Sequence, residues 1–180
     1  MIHNFPLHKY GRQLWTRDLA RKVRAELHKI LEKADEGDAV VLNLKDVEVF
    51  DFSFANELFG KTLFSLPAEF PGRFVLFEHL TPYTRENLIN ALEGMKLMAI
   101  SRKGGTYELI GKAHPADVET FNALSQLRQP STAANLADMF RVNLTAMHER
   151  LNKLVEAGVV RREASTSSAG RVQYLYAVPR

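Results

Sequence analysis

Apolar residues Leu19, Val23, Leu27, Ile30 and Leu31 recur at helical spacing, with Arg17, Asp18, Arg21, Lys22, Arg24, Glu26 and Lys29 between them. This pattern predicts an amphipathic helix over 16–34, capped by Thr16 and ended by Glu36-Gly37-Asp38. The pattern then changes. Residues 39–44 and 74–77 are short, nearly unbroken apolar runs, which suit strands covered on both faces. Between them, Phe54, Ala55, Leu58, Phe59 and Leu63 have the spacing of a helix that starts near Ser53 and stops before Pro67. A further helix is predicted over 84–92, after Thr81-Pro82. Residues 98–102 and 106–110, joined by Lys103-Gly104-Gly105, read as a hairpin. Strands alternating with helices imply a mixed α/β sheet with packed helices.

Beyond Gly111-Lys112-Ala113-His114-Pro115 the texture differs, and this stretch reads as a joint between residues 1–112 and 113–180. Of eleven phenylalanines, only Phe121 and Phe140 lie past it. Val118, Phe121, Leu124 and Leu127 predict a helix over 115–127. Ser131 or Thr132 then caps a short helix over 133–140, with Leu136, Ala137 and Phe140 inward. Arg141-Val142-Asn143 leaves room only for a tight turn before a longer helix over 144–157. That helix carries Met147, Leu151, Leu154 and Val155 on one side, and Gly158 stops it. Two strands follow, over 159–163 and 172–178, around a small, polar and mobile loop at 165–171.

Composition narrows the class. The chain of 180 residues is 46% hydrophobic and 25% charged, as expected of a globular protein. No apolar run reaches the ~18–20 residues of a membrane span, and residues 1–10 lack a signal-peptide layout. The absence of cysteine excludes disulfides, thiolate metal sites and cysteine nucleophiles, and it fits a reducing cytoplasm. A net charge of +3 is compatible with a polyanionic partner but does not identify one.

The block Val40-Val41-Leu42-Asn43-Leu44-Lys45-Asp46-Val47, followed by Phe50-Asp51-Phe52-Ser53-Phe54-Ala55-Asn56-Glu57-Leu58-Phe59-Gly60, resembles the STAS-like domain family of uncharacterised function. Asn43 stands where the family's usual pattern has Asp. The resemblance implies a relative of the anti-sigma-factor antagonist fold, in which a serine at this helix start is a kinase target. Read on its own chemistry, Ser53 is either a plain N-cap or a phosphorylation site. A phosphate there would meet backbone N–H donors and the helix dipole, though Asp51 would repel it.

Three helices, the second short and the third longer and glycine-stopped, followed by a basic hairpin, have the order of a winged helix-turn-helix. Leu136-Ala137, Leu151, Leu154 and Gly158-Val159-Val160-Arg161-Arg162 resemble the bacterial winged-helix transcription regulators. The resemblance implies double-stranded DNA as partner, with the third helix in the major groove. Helix geometry puts Asn143, Thr145, Ala146, His148, Glu149, Arg150, Asn152 and Lys153 on the outer side. Thr145, Ala146, His148 and Glu149 are the expected base readers. Arg150, Lys153, Arg161, Arg162 and Arg171 are the expected phosphate contacts, Arg171 from the wing.

Other patterns fail on their chemistry. His148-Glu149-Arg150-Leu151-Asn152 lacks the second histidine of a zinc-protease helix, so no metal site is expected. Lys103-Gly104-Gly105 lacks the rest of a phosphate loop, and no cofactor motif occurs. Asp51 and Glu57 sit near a helix start, where carboxylates serve as dipole partners more often than as an acid/base pair. No enzyme is expected. The sequence thus predicts an α/β STAS-like domain followed by a winged helix-turn-helix: a cytoplasmic, homodimeric DNA-binding transcription regulator. The alternative is a partner-switching protein, phosphorylated at Ser53, that binds a kinase or regulatory protein and uses the winged helix as a protein-binding platform.

Overall fold

The computed structural model describes residues 1–167 and 169–179; Ser168, in the loop expected at 165–171, lies outside the described residues. The chain opens with an element that its polar residues conceal, strand β1 (Ile2–Pro6). A 3-10 turn over Leu7–Tyr10 and the short strand β2 (Gln13–Leu14) lead into α1 (Arg17–Lys33). Thr16 caps α1, its Oγ1 accepting from the Leu19 N–H at 3.3 Å. Next come β3 (Ala39–Asn43), β4 (Val49–Phe50) and α2 (Phe52–Ala55). A π-helical turn over Asn56–Gly60 runs straight into α3 (Lys61–Glu69). Strand β5 (Phe74–Glu78), α4 (Pro82–Gly94) and the hairpin β6 (Met98–Lys103) and β7 (Thr106–Gly111) complete the first part.

Three sequence expectations need correction here. Asp51, not Ser53, caps α2: its Oδ1 accepts from the Phe54 N–H at 2.6 Å, and Ser53 is the second helical residue. The helix does not stop before Pro67. The proline removes one N–H from the ladder, but the Phe70 N–H still reaches the Leu66 carbonyl at 2.9 Å, and buried Leu66 keeps the turn packed. The fourth helix starts two residues earlier than expected, because Thr81 and Thr84 form a reciprocal capping box around Pro82.

Five strands form one mixed sheet in the order β1-β3-β5-β6-β7, parallel except for β7. A separate parallel pair joins β2 to β4. Alternation along the sheet sends Val40, Leu42, Val75, Phe77, Ala99 and Ile110 to the side covered by α1–α4. Phe59 centres that layer, edge-on to Phe77 at 5.1 Å and to Phe50 at 5.3 Å.

The other side of the sheet carries Ala39, Val41, Phe74, Leu76, Ile100 and Leu109, and its cover comes from beyond residue 113. There α5 (Pro115–Gln126), the two-residue β8 (Ser131–Thr132), α6 (Ala133–Phe140) and α7 (Leu144–Glu156) precede the hairpin β9 (Arg161–Thr166) and β10 (Val172–Ala177). Strands β8, β10 and β9 make a small antiparallel sheet in that order. The first hairpin strand begins at Arg161 rather than residue 159, because Val159 and Val160 point into the core after Gly158 (φ +69). Phe121, Leu151, Leu154, Val159 and Tyr176 join the sheet residues in one apolar cluster. Gly111 makes the crossing: its φ is +91, and a Cβ there would lie 2.5 Å from the Leu97 carbonyl oxygen, so no other residue fits. Among the described residues, no helix is long and apolar enough to cross a membrane.

Candidate nucleic-acid interface

Cap chemistry orients the α6–α7 corner. Thr132 Oγ1 accepts from the Asn135 N–H at 3.1 Å, and Asn143 Oδ1 accepts from the Ala146 N–H at 2.8 Å. Between the helices Arg141 takes the left-handed conformation (φ 53), which closes the turn in three residues. Met147, Leu151 and Leu154 are fully buried against the shared core. That fixes which side of α7 faces outward: Thr145, His148, Glu149, Asn152 and Lys153 are exposed, and Ala146 and Arg150 are half-buried. The Arg150 guanidinium lies 5.9 Å from the Phe140 ring centroid, so its stem is held along the helix pair.

Strand alternation sorts the hairpin residues. Tyr176 pairs with Arg162, so Arg162, Tyr174 and Tyr176 share one side. Arg162 stacks over Tyr174 at 5.0 Å. This side faces a groove of about 270 Å³, walled by Thr132 of β8 and Ala133 of α6, Leu144 and His148 of α7, and Tyr174 and Tyr176 of β10. Arg161 sits on the opposite side. Its Nε pairs with Glu163 Oε1 at 3.1 Å, and a Cβ at Gly37 would lie 3.6 Å from its Nη1, so it belongs to the seam with the first part. Arg171 is exposed near the hairpin end, where its N–H donates to Ser167 Oγ at 3.1 Å and its carbonyl accepts from the Ser167 N–H at 2.8 Å.

Of the residues singled out in this part, the geometry sets His148 in the groove wall and Arg162 next to it through its stack on Tyr174, leaves Thr145, Glu149 and Lys153 on the exposed side of α7, and puts Asn143 at its capping corner. It separates Arg161 from them. Sequence reasoning missed Leu144 and Tyr174, both exposed. The signal for Tyr174 lay in its two-residue offset from Tyr176: one of the pair fills the core, and the other extends the same side beyond it.

The second candidate, Ser53, is half-buried on α2 beside a cleft of about 340 Å³ lined by Trp15, Asp51, Phe52, Tyr83 and Asn87. Trp15, Phe52 and Tyr83 are exposed there. Asp51 and Glu57 do not act as a pair. Asp51 is a cap, whereas Glu57 is 2% exposed on the π-helical turn, with Lys61 Nζ at 2.6 Å, Arg24 Nη2 at 3.1 Å and Arg21 Nε at 3.8 Å. Burial disfavours the Glu57 charge. The Lys61 hydrogen bond and the cations around it outweigh burial and hold the carboxyl below the usual carboxylate range.

A folded-state pKa below the unfolded one, near about 4.3, gives stability that is present above that pH and lost as pH falls through the folded value. Glu57→Gln is accordingly expected to lower the urea midpoint at about pH 6, with the gap to the parent chain closing as pH drops towards about 3. A gap that stays constant over that range contradicts the ionic role.

Residues 20–83 match the family model of the STAS-like domain of unknown function. The match runs from α1 through β3, the π-containing helix and β5 to the first turn of α4, so this stretch of the amino-terminal part is similar to that family in sequence. No curated protein matches the chain.

Proposed function

We propose that the protein is a DNA-binding transcription regulator acting in the cytoplasm, with residues 113–180 forming a winged helix-turn-helix and residues 1–112 a STAS-like sensing or partner-binding domain. The observation that carries this reading is the single groove shared by the outer side of α7 and the Arg162–Tyr174 side of the hairpin. The opposite side of α7 is buried in the shared core, and Tyr176, at the inner end of the groove side itself, anchors the hairpin in that same core, so the surface they offer is held in place before any partner arrives. In this reading Thr145, Ala146, His148 and Glu149 meet base edges from the first turns of α7, Glu149 accepting from a cytosine amino group. Lys153, Arg150, Arg162 and Arg171 meet phosphates. A homodimer would set two such helices on half-sites about 34 Å apart. No catalytic role is assigned.

The test is a mobility shift of the full chain on random-sequence duplex DNA over a salt series. Each neutralised phosphate contributes a slope of about −0.9 in log K against log salt, so four cations per copy give roughly −3.6. A chain that leaves duplex DNA unshifted at low salt overturns the reading.

A second reading is supported by the exposed aromatics Trp15, Phe52 and Tyr83 beside Ser53. Such a surface suits a kinase or regulatory protein, with phosphorylation of Ser53 as the switch and the carboxy-terminal part as a protein-binding platform. Loss of a co-purifying partner on changing Ser53 to Asp favours it.

A further inference from the structure

The parallel strands β3, β5 and β6 all end at the same edge, the side of an open α/β sheet where ligands characteristically bind. A cleft of about 880 Å³ opens there, between the strand ends and the first turns of α4, within the range of small-molecule sites. Ser101 is its least expected feature. It follows Ala99 on the α4 side of β6, is 8% exposed, and lines the cleft. Among the described residues no side-chain hydrogen bond reaches its hydroxyl, whose oxygen opens to the cleft rather than being sealed in the core. The hydroxyl thus offers a donor and an acceptor to the cleft at the end of the sheet, where a bound polar group would take the place of water.

The walls set the charge of that group. Glu78 and Glu108 are already taken, and His79, also in the wall, has its Nε2 3.8 Å from Glu78 Oε2. Arg102 binds Glu78 through two parallel bonds at 3.0 and 3.1 Å, and Arg85 pairs with Glu108. What remains is Lys45 and Lys103 on one hand and Asp46 and Glu86 on the other, all exposed to the cleft and none in an ion pair among the described residues. Two free cations balance two free carboxylates. A purely anionic or cationic ligand would satisfy one set and be repelled by the other. A molecule carrying both charges satisfies both, and Leu80 and Ile89 offer apolar contact to the atoms between them.

We propose that this cleft binds a small zwitterion, of free amino-acid or dipeptide size, with its carboxylate towards Lys45 and Lys103, its ammonium towards Asp46 and Glu86, and a polar atom on the Ser101 hydroxyl. The site is independent of nucleic-acid binding, and its test reads the ligand alone.

The full chain is screened by thermal unfolding against the free amino acids and simple dipeptides at about 10 mM. Acetate, phosphate and ethylammonium serve as single-charge controls. At least one zwitterion is expected to raise Tm by roughly 3–5 °C, as a ligand at tenfold its Kd does, while the controls do not. Titration calorimetry should then show Kd weakened about 3–10-fold by Ser101→Ala and by the surface change Lys103→Gln. The proposal is overturned if no zwitterion shifts Tm, if acetate, phosphate or ethylammonium shifts it equally, or if both variants bind as the parent chain does.

Discussion

Phe121→Ala is expected to destabilise the whole chain by about 3–5 kcal/mol, the range for emptying a buried phenylalanine site. Phe121 is fully buried in the cluster that holds Val41, Leu76 and Ile100 of the sheet together with Leu151, Leu154 and Tyr176. A cavity at that point removes contacts from both sides of the seam at once. The single tryptophan, Trp15, lies at the start of the first part, far along the chain from the altered site. In urea its emission should therefore shift to lower denaturant together with the far-ultraviolet circular dichroism signal, and the two midpoints should coincide. An unchanged tryptophan midpoint beside an earlier dichroism transition would mean that the two parts unfold separately and that the shared cluster adds little.

That coupling also explains what the sequence could and could not convey. The unbroken apolar runs at 39–42 and 74–77 require cover on both faces, and both faces are covered. Which element supplies the second cover is a long-range fact. Nothing local to Val41 or Leu76 names Phe121. Strand β1 was invisible for a related reason: only Phe5 in it is buried, and its extended form depends on pairing with β3. Caps were legible where a single side chain competed for the role, as at Thr16; the cap at Asn143 was legible only as part of a tight turn. At Asp51-Phe52-Ser53 the sequence points to the serine as the cap, and the structure puts the aspartate there instead. The π-helical turn left no mark that periodicity could detect, since its apolar residues also fit an ordinary helix.

At the candidate interface the same contrast recurs on a finer scale. The outward side of α7 follows from 3.6-residue periodicity once Met147, Leu151 and Leu154 are taken as core, and those three are buried. The hairpin offered no such anchor, because a one-residue difference in where the strand begins exchanges its two sides. Val159 and Val160 belong to the core, and Arg161 and Arg162, the first two residues of β9, face opposite sides as any successive strand residues do.

This parting makes the DNA-binding proposal sharply testable. The double charge reversal Arg162→Glu, Lys153→Glu is expected to weaken duplex binding on the order of 100-fold at low salt, about 2.7 kcal/mol, and to flatten the salt slope by roughly 2. The loss should be the same for every sequence, since both side chains are assigned to phosphates. Arg161→Glu changes the formal charge by the same amount per residue. Its parent side chain is already paired with Glu163 and turned to Gly37, so its effect on affinity should be several-fold smaller. His148→Ala tests the other half of the surface: it borders the groove from the first turns of α7, and its loss should cost about 1–3 kcal/mol on a preferred site and little on random DNA. If Arg161→Glu weakens binding as much as Arg162→Glu, only net charge matters, and the groove between α7 and the hairpin is not where the duplex lies.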